Sequence, residues 1–97
     1  MKFNELVKES YKRYQESKNI IGTLYTAQIT YSFSQITETD LDKLLDKDIV
    51  DMMYLSSTLT NTEIDVYKDD LENYKVSHSE STIYIKLKNR PEIGIMY

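Results

Sequence analysis

The chain contains no cysteine and no tryptophan, and its 97 residues include only one proline, two glycines and one histidine. The absence of cysteine excludes disulfide bonds and cysteine-ligated zinc sites. The shortage of glycine and proline leaves little room for long loops or a flexible linker. We therefore expect a single domain over residues 1–97 and, because disulfide-forming residues are lacking, a cytoplasmic location.

Long hydrophobic runs are also missing. No apolar stretch approaches the length needed to span a membrane, and the N-terminal sequence MKFNELVKES lacks the apolar centre of a secretory signal. We expect no membrane association.

Charge is distributed unevenly along the chain, whose formal net charge is −4 at pH 7. Residues 19–37, NIIGTLYTAQITYSFSQIT, carry no charged side chain, and residues 1–20 and 73–97 each have a net charge of +2. Residues 38–72 hold eleven acidic residues and three lysines, a net charge of −8. A surface of this kind repels nucleic acids and attracts a basic partner.

The first third of the chain shows two different periodicities. Apolar side chains recur at three- and four-residue spacing through residues 4–18, which predicts a helix. Strict alternation of apolar and small polar residues then predicts one long strand over residues 24–34. Tyr25, Ile29 and Phe33 are expected on the core-facing side of this strand.

The acidic segment, residues 38–72, is predicted to be helical. Thr37 and Asp40 match a capping box, and apolar residues at helical spacing continue from there to Leu55, with a break expected near Asp48. Residues 62–74 also fit a helix, and a short strand is the alternative for them.

The C-terminal quarter alternates with a period of two, which predicts a strand at Tyr74, Val76 and His78 and further strands over residues 82–88 and 92–96. The predicted fold class is α+β: a small antiparallel sheet, made of the long strand and a C-terminal hairpin or meander, packed by the N-terminal helix and the central helical segment. A winged-helix domain has the same element order. In this chain, however, the segment that would enter the DNA groove is acidic, so we expect no direct nucleic-acid binding.

Residues for catalysis or metal binding are sparse. His78 is the only histidine, so it has no histidine partner with which to hold a metal ion. The aspartates of residues 40–51 lack the central glycine and closing glutamate of a calcium loop, and no glycine-rich phosphate loop is present. We expect no enzymatic activity and no cofactor or metal. An enzyme that relies on carboxylates alone is a third alternative.

The acidic segment supplies the first candidate interaction surface. Acids at positions i and i+4 of a helix, such as Asp42 and Asp46, stand about 6 Å apart, close to the spacing of successive phosphates in a nucleic acid. Such a surface fits the basic groove of a partner protein. The candidate partner-binding residues are Asp40, Asp42, Asp46, Asp48, Asp51, Glu63, Asp65, Asp69, Asp70 and Glu72.

The uncharged strand supplies the second candidate surface. A solvated strand in so charged a chain would normally carry lysine or glutamate on its polar face. The strand is therefore either central and covered by its own chain, or an open face or edge that meets a partner or a second copy. The candidate residues of this interface are Thr26, Gln28, Thr30, Ser32 and, on the outer side of the C-terminal hairpin, Tyr84.

In its small size, acidity, lack of cysteine and lack of enzyme motifs, the chain resembles the small acidic anti-defence proteins of phages and mobile elements, the anti-CRISPR and anti-restriction inhibitors. The resemblance is one of general character and involves no shared motif. It implies an inhibitor that occupies the basic, nucleic-acid-binding surface of a protein or nucleoprotein complex in the host cytoplasm. The alternative function is a homo-oligomeric structural or regulatory module, such as a homodimer, assembled through residues 24–34.

Overall fold

The computed structural model describes residues 2–17, 21–56, 61–67, 71, 73–79 and 82–88. The helices are α1 (Lys2–Ser17), α2 (Glu38–Asp46) and α3 (Asn61–Tyr67), with a 3-10 helix at Phe33–Gln35. The strands are β1 (Ile21–Thr26), β2 (Thr30–Ser32), β3 (Val50–Ser56), β4 (Tyr74–Ser79) and β5 (Thr82–Leu87).

The five strands form one antiparallel sheet in the order β2-β1-β3-β5-β4, which confirms the α+β fold class. One face of this sheet packs against the helices. The buried cluster there combines residues of α1 and α2 with alternate residues of the three central strands. Its members include Phe3, Leu6, Val7, Leu41, Leu45, Leu24, Met53, Leu55, Ile83 and Ile85.

The predicted N-terminal helix is confirmed as α1, and two of its polar side chains tie it to neighbouring elements. The side-chain amide of Asn4 donates a hydrogen bond to the carbonyl of Leu45 in the last turn of α2 (3.3 Å). The buried hydroxyl of Tyr11 donates to the carbonyl of Ile36, just before α2 (2.7 Å). Helix α1 is thus fixed to α2 at both points.

The prediction of one long strand over residues 24–34 is wrong. The chain forms the β1–β2 hairpin instead, and Phe33 lies in the 3-10 helix that follows. Thr26 makes the turn: its hydroxyl accepts hydrogen bonds from the backbone N–H of Gln28 (3.3 Å) and Ile29 (3.0 Å) and donates to the Ile29 carbonyl (2.8 Å). Threonine can stabilise a turn through such bonds without glycine or proline.

The hairpin reverses the expected inward and outward residues. Ile29, predicted to face the core, lies beyond the turn and is 51% exposed, whereas Thr26, predicted to face outward, is 5% exposed. Gly22, Leu24 and Thr26 are the buried residues of β1. The alternation of apolar and polar residues continues through the turn between β1 and β2, so it predicted the wrong side for both Thr26 and Ile29.

Phe33 is buried as predicted, but it reaches the core by another route. Its ring lies against Gly22 of β1, and the Cβ atom of any larger residue at position 22 would overlap that ring. Tyr11 and Tyr14 of α1 meet the same ring edge-on, with centroids 5.3 and 5.9 Å from it. This aromatic cluster joins α1 to the hairpin.

Helix α2 begins with the predicted capping box, in which the Thr37 hydroxyl accepts from the Asp40 N–H (3.1 Å). It ends before Asp48, whose φ of 53° lies in the left-handed region. The helical prediction for the residues up to Leu55 is wrong, because they form β3, the central strand. Met52 and Met53 are buried on opposite sides of it, so the apolar residues do not simply alternate.

The helical interpretation of residues 62–74 is confirmed only in part. Helix α3 ends at Tyr67, and Tyr74 already belongs to β4. The predicted C-terminal hairpin is confirmed as β4–β5, in which Ile83 and Ile85 are buried. The predicted strand over residues 92–96 lies outside the described residues.

Candidate interaction surfaces

Helix α2 separates its leucines from its acids. Leu41 and Leu45 are 1% and 3% exposed and belong to the core. The carboxylates on the remaining sides are exposed, and the turn after the helix adds one more. The α2 acidic surface consists of Glu38, Asp40, Asp42, Asp46 and Asp48, and the exposed Lys43 and Lys47 stand among them.

Two of these acids also have partners within the chain. The Asp42 carboxylate lies 3.4 Å from the Lys8 ammonium of α1, and both side chains are about half exposed (52% and 53%). An ion pair this exposed contributes little to stability. Asp40 accepts a long hydrogen bond from the Thr37 N–H (3.4 Å). Both carboxylates nevertheless remain accessible to a partner.

The remaining predicted acids do not join this surface. Glu63 of α3 contacts Arg13 of α1 at 2.6 Å, and this hydrogen bond is the main cause that raises the pKa of Arg13. Asp65 is exposed on α3. Asp51 contradicts the prediction: it is 3% exposed, because residues 50–56 form the central strand and not a solvated helix. Asp69, Asp70 and Glu72 lie outside the described residues.

A surface groove of about 520 Å³ lies between α1 and α2. Lys8 and Lys12 of α1 line it together with Glu38, Leu41 and Asp42. Glu5 and Glu9 line it as well, so four carboxylates stand against two lysines and the groove disfavours an anionic ligand.

The second surface is the face of the sheet opposite the core. Alternation assigns to this open sheet face the residues of β1, β3 and β5 that stand between the buried ones. Tyr54 of the central strand lies directly between Thr23 of β1 and Tyr84 of β5. The open sheet face consists of Ile21, Thr23, Tyr25, Thr30, Ser32, Met52, Tyr54, Ser56, Lys75, Ser77, Thr82, Tyr84 and Lys86.

The predicted outward position of Tyr84 is confirmed, and its hydroxyl donates a hydrogen bond to the Met52 sulfur (2.8 Å). Met52 is only 4% exposed although it is absent from the helix-covered cluster. Burial raises the pKa of Tyr25, and the nearby Tyr54 raises it further. These four side chains therefore form a partly desolvated patch at the centre of the open sheet face.

The other residues predicted for this interface have different positions. Thr26 is buried inside the hairpin turn and cannot contact a partner, which corrects the prediction. Gln28 is exposed in the turn, and Thr30 and Ser32 lie on the edge strand β2. The strand predicted to be either central or open is therefore two strands, of which β1 is interior and β2 is the edge.

Within the described ranges, no three residues of the types His, Cys, Asp or Glu come together as a metal ion would require. The backbone of His78 lies in β4 opposite Ile83. No described helix combines the length and the apolar character needed to cross a membrane.

Comparison with known proteins adds no relative: protein-family models, curated proteins and solved structures all gave no match. The surfaces must therefore be interpreted from their own chemistry.

Sequence reasoning did not place Tyr25, Met52 and Tyr54 on the open sheet face. The alternation of apolar and polar residues predicted Tyr25 on the core-facing side of its strand, and the spacing of apolar residues predicted a helix for residues 50–56. The signal that could have found Tyr54 is the order Met53, Tyr54, Leu55, Ser56, in which apolar residues alternate with more polar ones.

Proposed function

We propose that this protein is a small acidic inhibitor that binds a partner protein or nucleoprotein complex at a basic, nucleic-acid-binding surface. The observation that carries the proposal is the α2 acidic surface, where five accessible carboxylates follow one helix and its C-terminal turn. The leucines of the same helix are buried in the core, so the carboxylates are held on a fixed scaffold.

The spacing of these carboxylates supports mimicry of a phosphate backbone. Asp42 and Asp46 are separated by one helical turn, which places their side chains about 6 Å apart. Accessible charges of one sign accelerate association with a surface of the opposite sign, and added salt weakens that effect. Binding is therefore expected to fall steeply between low and physiological ionic strength.

The general resemblance to anti-CRISPR and anti-restriction inhibitors suggests the narrower form of the proposal, a phage anti-defence protein acting in the host cytoplasm. Its test is expression of the protein in bacteria that carry a CRISPR or restriction system. Restored plating of a targeted phage would support this form. Unchanged plating with every system tested would contradict the narrower form and leave the binding experiment to decide the broader one.

The binding experiment uses two double variants that remove the same amount of charge. Asp46→Asn with Asp48→Asn neutralises two residues of the α2 acidic surface, and asparagine tolerates the left-handed backbone at position 48. The control, Glu16→Gln with Asp65→Asn, neutralises two exposed acids on α1 and α3.

A partner captured from the host lysate should bind the wild type and the control but not the α2 double variant. Double-stranded DNA should displace the wild-type protein from that partner, because both occupy the same basic surface. Equal losses of partner binding in the two double variants would show that binding depends on net charge and not on the α2 acidic surface. Capture that is insensitive to both variants, to salt and to DNA would refute the proposal.

A further inference from the structure

The open sheet face differs from the rest of the described surface in its lack of acids. Among the described residues, none of the outward positions of the sheet carries a carboxylate, and Lys75 and Lys86 at the β4 side are the charged residues there. Ile21 is 66% exposed at the other end of the same face. The face is thus uncharged over β1 and β3 in a chain that is otherwise rich in charge.

The centre of this face is already partly shielded from water. Met52 is 4% exposed, Tyr84 is hydrogen-bonded to it, and Tyr25 and Tyr54 are half-buried beside it. Tyrosine and methionine are enriched where proteins meet, because a large apolar body is combined with a polar or adaptable end. Covering this patch would therefore remove apolar surface from water without burying an acid.

We propose that the open sheet face binds a second copy of the chain, so that two sheets pack face to face in a symmetric dimer. Among the described surfaces, this face is the one on which two copies repel each other least. Each copy has a net charge of −4 and presents acids on its helical side, so two copies repel when those sides meet. Contact through the open sheet face instead brings together two surfaces on which no carboxylate is described. A twofold axis makes this contact self-complementary.

The size of the face is sufficient for a weak dimer. Five strands at a spacing of about 4.8 Å, with up to about six residues at about 3.4 Å each, cover about 500 Å². Two copies would then bury about 1,000 Å², which is near the lower limit for a specific interface. Packed sheets of this kind lie about 10 Å apart, with their strands rotated by about 30°. We expect a dimer that dissociates in the micromolar range.

A single-stranded nucleic acid is the competing occupant, because bases stack on aromatic side chains and lysines bind phosphates. Lys75 and Lys86 stand opposite each other on β4 and β5, next to the tyrosines. They occupy only one side of the face, and the chain as a whole repels polyanions. These observations favour the second copy.

The test compares two threonine variants by sedimentation equilibrium over a range of concentrations. Thr23→Glu introduces a carboxylate beside Tyr54 on the open sheet face, whereas Thr39→Glu introduces one on the exposed side of α2. The wild type and Thr39→Glu should reach twice the 11.5 kDa mass of one chain. Thr23→Glu should raise the dissociation constant at least tenfold. Added salt should leave the wild-type dimer unchanged or strengthen it, because it screens the repulsion between the copies.

Ser77→Glu, at an exposed position opposite Tyr84, provides the same test if Thr23→Glu does not fold. A dimer that tolerates both variants would overturn the proposal, since its interface would lie elsewhere. A wild type that stays monomeric at every concentration would overturn it as well.

Two further measurements on such a monomer identify the true occupant. Salt-sensitive binding of labelled single-stranded DNA, lost in Lys75→Ala, would assign the face to nucleic acid. Loss of thermal stability in Thr23→Glu but not in Thr39→Glu would show that residues of the same chain cover it.

Discussion

The two faces of the sheet are built from the same strands but have different chemistry. On the core face, Leu24, Met53 and Leu55 are completely buried beneath the helices. On the open face, their immediate neighbours Thr23, Tyr25 and Tyr54 are half-buried, polar at their ends and uncharged. The core face accounts for folding. The open face has a composition suited to association, and the comparison predicts that the same type of substitution has unequal effects on the two sides.

The largest difference is expected between Phe33 and Ile29, which the sequence pattern assigned to one face. Phe33→Ala should lower the free energy of unfolding by about 3–5 kcal/mol, because the ring is 1% exposed and fills the space between α1 and β1. Ile29→Ala should lower it by less than about 1 kcal/mol, because this side chain is 51% exposed. Urea unfolding of both variants measures the difference. Equal losses would place Ile29 in the core and contradict the hairpin.

Met52 and Met53 lie on opposite faces of β3, so substitutions at these two positions compare the faces within one strand. Met53→Ala should cost about 2–5 kcal/mol, because the side chain is 0% exposed within the helix-covered core. Met52→Ala should cost less, because half-buried tyrosines on the open face can move into the vacated space. Chemical unfolding of both variants at protein concentrations at which the chain is monomeric gives the two values. A larger loss for Met52→Ala would show that the open face is packed as tightly as the core.

Local signals in the sequence predicted the elements that depend on one local pattern. The capping box of Thr37 and Asp40, the leucine stripe of α2 and the alternation of β5 all correspond to observed structure. The turn between β1 and β2 could not be found in this way, because residues 27–29 contain no glycine, proline, asparagine or aspartate. Its geometry comes from the hydroxyl of Thr26.

The position of β3 required knowledge of the whole sheet. A strand between two others can bury residues on both faces, so its apolar residues need not alternate. The spacing of Met52, Met53 and Leu55 therefore matched a helix equally well. This error placed Asp51 on a predicted helical surface and left Tyr54 unrecognised as a residue of the open sheet face. The α2 acidic surface was predicted correctly as exposed acids because α2 is a regular amphipathic helix with a clear start.

The close approach of Gly22 and Phe33 gives a third, smaller effect. Gly22→Ala should cost about 1–3 kcal/mol, because the added Cβ atom overlaps the aromatic ring and the hairpin must shift. The same substitution in the Phe33→Ala background should cost much less, since the ring is absent. A double-mutant cycle by urea unfolding measures this coupling. Additive losses would mean that the ring does not lie over Gly22.

A smaller effect again is expected at Tyr11, whose hydroxyl donates a buried hydrogen bond to the Ile36 carbonyl (2.7 Å). Tyr11→Phe should cost about 1 kcal/mol at pH 7. Burial raises the pKa of Tyr11 above its ordinary value of 10.0, and the charges of Tyr14, Glu38 and Asp40 raise it further. A raised pKa means that the unfolded chain loses this proton first. The contribution of Tyr11 is therefore complete below about pH 10 and is lost as the pH rises through the folded-state pKa.

Tyr25 on the open face provides the comparison, because burial raises its pKa as well. Both Tyr11→Phe and Tyr25→Phe should reduce the loss of stability above pH 10, but only Tyr11→Phe should be measurably destabilising at pH 7, because Tyr25 lies on the half-buried open face. Thermal unfolding of the wild type and both variants between pH 7 and pH 11 tests this. If the stability of both variants fell as steeply with rising pH as that of the wild type, ionisation of these two tyrosines would not limit the stability of the fold at high pH.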